Sequence, residues 1–429
     1  QDLISQDISS IEWADLTLSE PYFFFVPKDM NYYDEYMQYE SIDNLFDVSS
    51  SGVKTHRDSL VISEDYDQLL TRFLSLRGED TPDEYFLKKF GFRESSNWSL
   101  KAARESLKSM DNLKNYIVPY YYRPFDIRWI FYSSIFIERS RKDVLYNMLY
   151  DNIALLSMRQ VYWKGEYSHF GVTKSLVDQR QFISNRGTIS TFPLYLYPRE
   201  DVDLLFHTTA TSSWEPDPDH GNRVPNLNHR LIQKFSDKLG LSFNSHRINR
   251  KSSFEDAFGP EDVLSYIYAI FHNPIYRERY EEFLEIDYPR IPFTSNIDLF
   301  RRLVRLGGDL IALHLLESPK LNKLKTSFPV PGDSRVKKHG GYPKYSVPSE
   351  EHEGRVYINR EQYFEGVPLN VWEFEIGGYQ VLHKWLKDRR GRTLDYDDKR
   401  HYQQIVVALS ETIRLMDEID AAIPSWPIE

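Results

Sequence analysis

Cysteine is absent from the 429 residues. That excludes a disulfide scaffold, a thiolate metal site and a cysteine nucleophile together. Long apolar runs are missing too. None approaches the roughly 18 residues that a membrane-spanning helix needs, so no membrane partner is expected. Excess positive charge is also lacking: 53 Lys and Arg face 64 Asp and Glu, a net of −11. The bulk footprint of a free nucleic-acid binder is therefore not there, although a local basic groove stays open. No His-x-x-x-His spacing occurs among the 12 histidines, and no metal site is expected. No glycine-rich cofactor loop follows a strand pattern, and no internal repeat or low-complexity segment stands out.

Apolar residues make up 41% of the chain, enough for buried cores and against global disorder. Aromatics reach 15%, with 30 Tyr. Tyr suits both cores and recognition surfaces, and a Tyr-rich core is the commoner outcome. The length allows two or three domains. The start at Gln1, without Met or an apolar signal segment, reads as a piece of a longer cytoplasmic chain.

The pattern along the chain predicts an α+β fold, with a β-rich subdomain followed by a mostly helical C-terminal half. Residues 1–60 read as an extended connector, including the proline-bounded burst Pro21 to Pro27. Residues 61–115 are helical, with Ser99 as a cap. Residues 116–206 carry β-rich runs at 127–132, 170–173 and 191–197. Residues 207–258 form a polar connector with one helix near Leu227–Leu239. Gly259-Pro260, Asn273-Pro274 and Asn296 open three helices within 259–320. Residues 321–375 are irregular and strand-like with a basic loop. Residues 376–429 hold the last helices, the final one opened by an Asp395/Asp398 capping box.

Three short patterns invite catalytic readings. Asn273-Pro274-Ile275-Tyr276 approaches the Asn-Pro-Pro-Tyr loop with which amino methyltransferases hold a flipped base. Ile replaces the second Pro, and the motif lies between helical patterns, so a helix cap with a core Tyr is favoured. Glu373-Phe374-Glu375 could place two carboxylates on one strand face, but no suitably placed Lys follows for a nuclease. Gly377-Gly378 suits a tight turn better than an anion cradle. No catalytic residue is assigned.

Basic clusters carry more. Lys54, Arg57, Arg139, Arg141, Lys142, Lys337 and Lys338 lie in loops or at element ends, where groove contacts to phosphate belong. Arg159, Gln160, Lys164, Arg180, Gln181 and Arg186 form a second type. Arg and Lys grip guanine, and Gln matches adenine, so these six are the candidate base readers.

Four stretches resemble one family when taken in order: Tyr121 to Arg128, Thr191 to Tyr197, Tyr266 to Arg277, and Ile376 to Arg389. The last, Ile-Gly-Gly-Tyr-Gln-Val-Leu-His-Lys-Trp-Leu-Lys-Asp-Arg, is the most specific. Together they resemble the C-terminal part of type ISP restriction–modification enzymes. Such enzymes join a nuclease, a helicase-like ATPase, an adenine-N6 methyltransferase and a target-recognition domain in one chain. The resemblance implies sequence-specific recognition of double-stranded DNA, without catalysis in this chain. It also implies that S-adenosylmethionine, ATP and Mg belong to methyltransferase, helicase-like and nuclease regions elsewhere. Two other readings remain: an adenine-N6 methyltransferase built on Asn273 to Tyr276, and a docking module that touches no base.

Overall fold

The computed structural model describes Ser9 and residues 29–162, 165–199, 213–246, 256–348 and 354–429. The burst at 21–27 and the candidate reader Lys164 lie outside these residues. Residues 29–51 are not an extended arm. A short helix, Tyr33–Met37, buries Tyr36 against the rings of Tyr280 and Phe283. Glu35 binds the Arg279 guanidinium through two bonds of 2.8 Å, which pins the segment to the body.

The chain then supplies an edge strand, β1 (Ser50–Ser51), and a second short strand, β2 (Ile62–Ser63). Three helices follow: α1 (Tyr66–Arg77), α2 (Asp83–Phe90) and α3 (Leu100–Lys108). Asp65 caps α1 by accepting the Gln68 N–H at 2.6 Å, and Ser99 caps α3 through Ala102. Next come the hairpin β3 (Ile117–Arg123) and β4 (Asp126–Phe131), then β5 (Ala154–Met158), β6 (Phe170–Thr173), β7 (Leu176–Val177) and β8 (Ile189–Pro193).

These strands make two four-stranded sheets. One runs β2-β4-β3-β7, with β7 parallel to β3; the other runs β1-β8-β5-β6, antiparallel throughout. Every residue of β5 and β6 is buried, as continuous rather than alternating apolar runs require.

The second half is built on α4 (His229–Leu239), α5 (Pro260–His272), α6 (Pro274–Arg279) and α7 (Ile297–His314). Asn228, Asn273 and Asn296 cap α4, α6 and α7 with their side chains. A three-stranded sheet, β9 (Lys344–Ser346), β10 (Gly354–Tyr357) and β11 (Tyr363–Val367), follows. A tight hairpin, β12 (Glu375–Ile376) and β13 (Tyr379–Gln380), leads into α8 (Val381–Asp388) and the long α9 (Tyr396–Ala422). Helix α5 is the axis of this half, with 12 of its 13 residues buried. A β-carbon on Gly307 of α7 would collide with the Ser265 carbonyl of α5, so glycine sets how closely the two helices cross.

Two hydrophobic cores result, and they cut across the divisions read from sequence. The first unites α1, α3 and the β2-β4-β3-β7 sheet, where Phe73 stacks on Phe131 at 3.6 Å. The second joins β5, β6 and β8 to the C-terminal helices. Ion pairs stitch the seam between them. Asp126 of β4 binds Arg128 at 2.7 Å and Arg389, which follows α8, at 3.0 Å. Arg392 reaches back to Glu64 and lies 3.5 Å from Asp398 of α9. Burial alone would raise the Asp126 carboxyl; Arg389 and Arg128 outweigh it and hold the group below its ordinary range.

Candidate nucleic-acid interface

Strands β5 and β8 pair with Met158 opposite Ile189. The segment leaving β5 and the segment entering β8 therefore emerge at one end of one sheet. Arg159 and Gln160 turn outward there, while Val161 is buried and donates its N–H to the Glu285 carbonyl at 3.0 Å. Tyr162 follows, 53% exposed. Its N–H donates to Ser184 Oγ at 3.1 Å, and the Arg186 N–H donates to the same oxygen at 3.0 Å. The Ser184 hydroxyl in turn donates to the Arg186 carbonyl. One serine thus staples the two segments. Gly187, with φ +74°, completes the turn, and a β-carbon there would press on the Gln160 carbonyl at 3.0 Å.

The base of the second segment is equally fixed. Asp178 is buried and accepts from Tyr120 Oη at 2.7 Å, Arg123 Nη1 at 3.0 Å and the Arg180 N–H at 2.8 Å. Val53 donates its N–H to the Val177 carbonyl and accepts the Gln179 N–H alongside, and Gly52 leaves room for Gln179 to approach. From the other side the β12–β13 hairpin grips the segment. Ile183 N–H donates to the Gly377 carbonyl at 2.7 Å, and Gly377 N–H donates to Ser168 at 2.9 Å. Gly377 and Gly378 have φ of +56° and +76°, so the pair is a tight turn that packs against Phe182.

The candidate readers fall into distinct places. Arg159, Gln160, Arg180 and Arg186 are exposed on these two segments. Arg159 is tied to Asp287 at 3.0 Å, while the Arg186 guanidinium lies 5.7 Å from the Tyr162 ring centroid. Gln181 differs: it is fully buried, with the Tyr121 hydroxyl beside its amide. Its neighbours Arg180 and Phe182 point out and in respectively, and the turn carries Gln181 inward, so it has no atom to offer a groove in this conformation.

The candidate phosphate contacts split as well. Lys54 and Arg139 bond each other's backbone at 3.0 Å, which brings Arg139, Arg141 and Lys142 beside the base of the second segment. Those three are exposed; Lys54 and His56 share Glu138, at 2.8 and 2.6 Å. Arg57 leaves this group. Its guanidinium is buried, stacked 3.7 Å from the Trp98 ring centroid and bonded to the Phe136 carbonyl. Lys337 and Lys338 lie in a different groove of about 520 Å³, with Arg335, Asn359, Arg360 and Gly391.

The catalytic-looking patterns are structural in this fold. Asn273 Oδ1 accepts the Tyr276 N–H at 2.6 Å and its Nδ2 donates to Asp420 at 3.0 Å. Tyr276 is fully buried and donates to the Arg290 carbonyl at 2.7 Å, so no base can enter between them. Glu373 ends a four-residue helix, Leu369–Trp372, and Glu375 belongs to β12, so the two carboxylates share no strand. His169, beneath these two segments, is driven down to about 4 by burial and bonds the Ile183 carbonyl through Nε2. No three His, Asp or Glu side chains converge as metal ligands, and no helix is long and apolar enough to cross a membrane, among the described residues.

Sequence reasoning missed Tyr162, Ser184 and the β12–β13 clamp. The signal for Tyr162 was the Val161-Tyr162-Trp163-Lys164 run, where two large aromatics follow exposed polar residues.

Comparison with known proteins agrees with this architecture. A sequence model described as the type ISP C-terminal specificity domain matches residues 44–418. No curated protein sequence matches the chain. Among solved structures, the chain resembles a nuclease-deletion mutant of the type ISP restriction–modification enzyme LlaGI in complex with a DNA substrate mimic. The identity is 17%, the TM-score 0.59, and the match covers 96% of this chain and 31% of that one. It resembles the ATP-dependent type ISP enzyme LlaBIII bound to DNA, at 18% identity and TM-score 0.61, over 92% of this chain and 24% of that one. It also resembles DrdV in its DNA complex, at 19% identity and TM-score 0.65, over 97% of this chain and 41% of that one. At such identities the structural likeness speaks to fold alone, and the chain spans less than half the length of each of these proteins. The family match covers most of the chain: it belongs to the type ISP C-terminal specificity domains.

Proposed function

We propose that this chain is the target-recognition module of a restriction–modification enzyme and reads a specific sequence in double-stranded DNA. One observation carries the reading: two segments from one sheet end, stapled by Ser184 and clamped by β12–β13, present Arg159, Gln160, Arg180 and Arg186 together. Guanidinium and amide groups on a fixed scaffold suit base edges in the major groove. Arg139, Arg141 and Lys142 alongside, with Lys54, suit the adjoining phosphates, and Lys337 and Lys338 a more distant stretch of backbone. The chain itself carries out no catalysis and holds no cofactor in this reading. It positions an adenine-N6 methyltransferase and a nuclease and translocase supplied by the rest of a longer chain, with S-adenosylmethionine, ATP and Mg confined to those parts. The sealed Asn273–Tyr276 turn speaks against a methyltransferase site here.

Selection of bound duplexes from a random pool tests the proposal, at low and moderate salt. A motif that persists as salt rises supports it. Loss of the motif with the fold intact, both alone and with the methyltransferase attached, would leave a docking scaffold. Reversing Lys337 and Lys338 to Glu should weaken all sequences alike and lower the salt slope by about 1 for each phosphate no longer neutralised.

A further inference from the structure

The structure assigns Tyr162 and Arg186 to a single reading unit: Arg186 grips a guanine while the Tyr162 ring lies against a thymine methyl in the adjoining base pair. This rests on the DNA-recognition reading above and adds a residue and a dinucleotide to it. Three features of the site carry it.

The first is availability. Arg159 is held by Asp287, but among the described residues no carboxylate pairs with Arg186. Its neighbour is the Tyr162 ring at 5.7 Å, inside the range at which a guanidinium is drawn to an aromatic face. A ring beside a guanidinium limits its orientations while leaving the donor fork free. That is what two-pronged binding to guanine O6 and N7 requires.

The second is rigidity. Tyr162 and Arg186 are 24 residues apart, yet their backbone N–H groups share one acceptor, Ser184 Oγ. The spacing between the two side chains is thereby built into the backbone. Two long side chains on a mobile loop would lose more entropy on binding.

The third is surface chemistry. Tyr162 is half-exposed at a sheet end whose other exposed side chains, among the described residues, include Arg159, Gln160, Asn185, Arg186 and Thr188. In the major groove the apolar feature of the base edges is the thymine C5-methyl. A ring next to a guanine-reading fork falls over the neighbouring base pair, since base pairs along a strand step by about 3.4 Å.

The test uses the 429-residue chain, or the parent enzyme where the chain alone binds too weakly, on its selected duplex. Each guanine is replaced in turn by 7-deazaguanine and each thymine by uracil. Wild type is expected to lose about tenfold in affinity at one guanine and several-fold at the adjacent thymine. Arg186→Ala should abolish sensitivity at that guanine, Tyr162→Ala at that thymine, and Tyr162→Phe should keep both. Thermal melting checks that each variant is folded. If both alanine variants keep every wild-type sensitivity, the paired unit is wrong while sequence recognition stands. If neither the folded chain nor the parent enzyme prefers any sequence, the recognition reading and the pair fall together.

Discussion

Buried histidines give the chain a pH signature. His314 is buried, bonded to Tyr268 Oη at 2.5 Å and Thr412 Oγ1 at 2.9 Å, and burial pushes it down to about 3. His272, whose ring centroid lies 5.3 Å from that of His314, is also driven well below its ordinary value by burial, with Arg277 adding to the effect. His169 falls to about 4. When unfolded, each titrates near 6.5. Below that pH the unfolded chain takes up protons that the folded chain refuses, so stability must fall as pH drops from about 6.5 towards 4. Each such histidine contributes a slope of about 1.4 kcal/mol per pH unit. Denaturant titrations at pH 7.5, 6 and 5 should show this loss, and His314→Gln should flatten it while lowering stability at pH 7.5. Gln181 belongs to the same scale. Sequence marks it as an adenine reader because Gln beside Arg in a polar loop fits one; whether a side chain in a turn points in or out depends on distant strands and cannot be seen locally. Gln181→Met is expected to leave DNA preference unchanged in a duplex selection, since a fully buried side chain offers no atom to a base edge.

Helices and their caps were legible in the sequence, and most sheet pairing was not. Ser99, Asn273, Asn296 and Asp395 lie within three residues of the N–H groups they cap, so a local reading finds them. Strand β1 is two residues long and pairs with β8 about 140 positions away, and no local signal specifies that. The helical segment at 61–115 looked separate from the strands after it, yet Phe73 and Phe131 share one stack. Gly307 tests the packing of α5 against α7. Gly307→Val forces the helices apart at Ser265 and should destabilise by about 3 kcal/mol, measured by chemical unfolding. Gly377→Ala meets two obstacles, a positive φ and the Phe182 ring, and loosens the clamp on the proposed reading segment. It should reduce sequence preference more than total DNA affinity, seen by comparing specific with random duplexes.

At the scale of the whole molecule, the seam decides whether the two cores act as one. Asp126 and Arg389 are 1% and 6% exposed, and Asp126 also binds Arg128. Asp126→Ala leaves the buried Arg389 guanidinium with only the more distant Asp398, at 3.8 Å, and is expected to cost up to about 3–5 kcal/mol. Calorimetry should then show two separated transitions in place of one. The family resemblance was readable because its phrases fall on the parts that hold the body together: the β3–β4 turn, the end of β8, α5 with α6, and β12–β13 with α8. The proposed recognition surface was less readable because its segments meet through the β5–β8 register, Ser184 and the distant β12–β13 turn. That dependence has a consequence for the order of synthesis. The segment at 178–188 is complete only when Gly377 and Tyr379 have been made, since they supply the carbonyl for Ile183 and the hydroxyl that reaches the Arg180 carbonyl at 3.4 Å. A nascent chain halted before β12 carries every proposed reader but lacks the clamp that fixes them. Sequence discrimination would then wait on residues made long after the readers themselves.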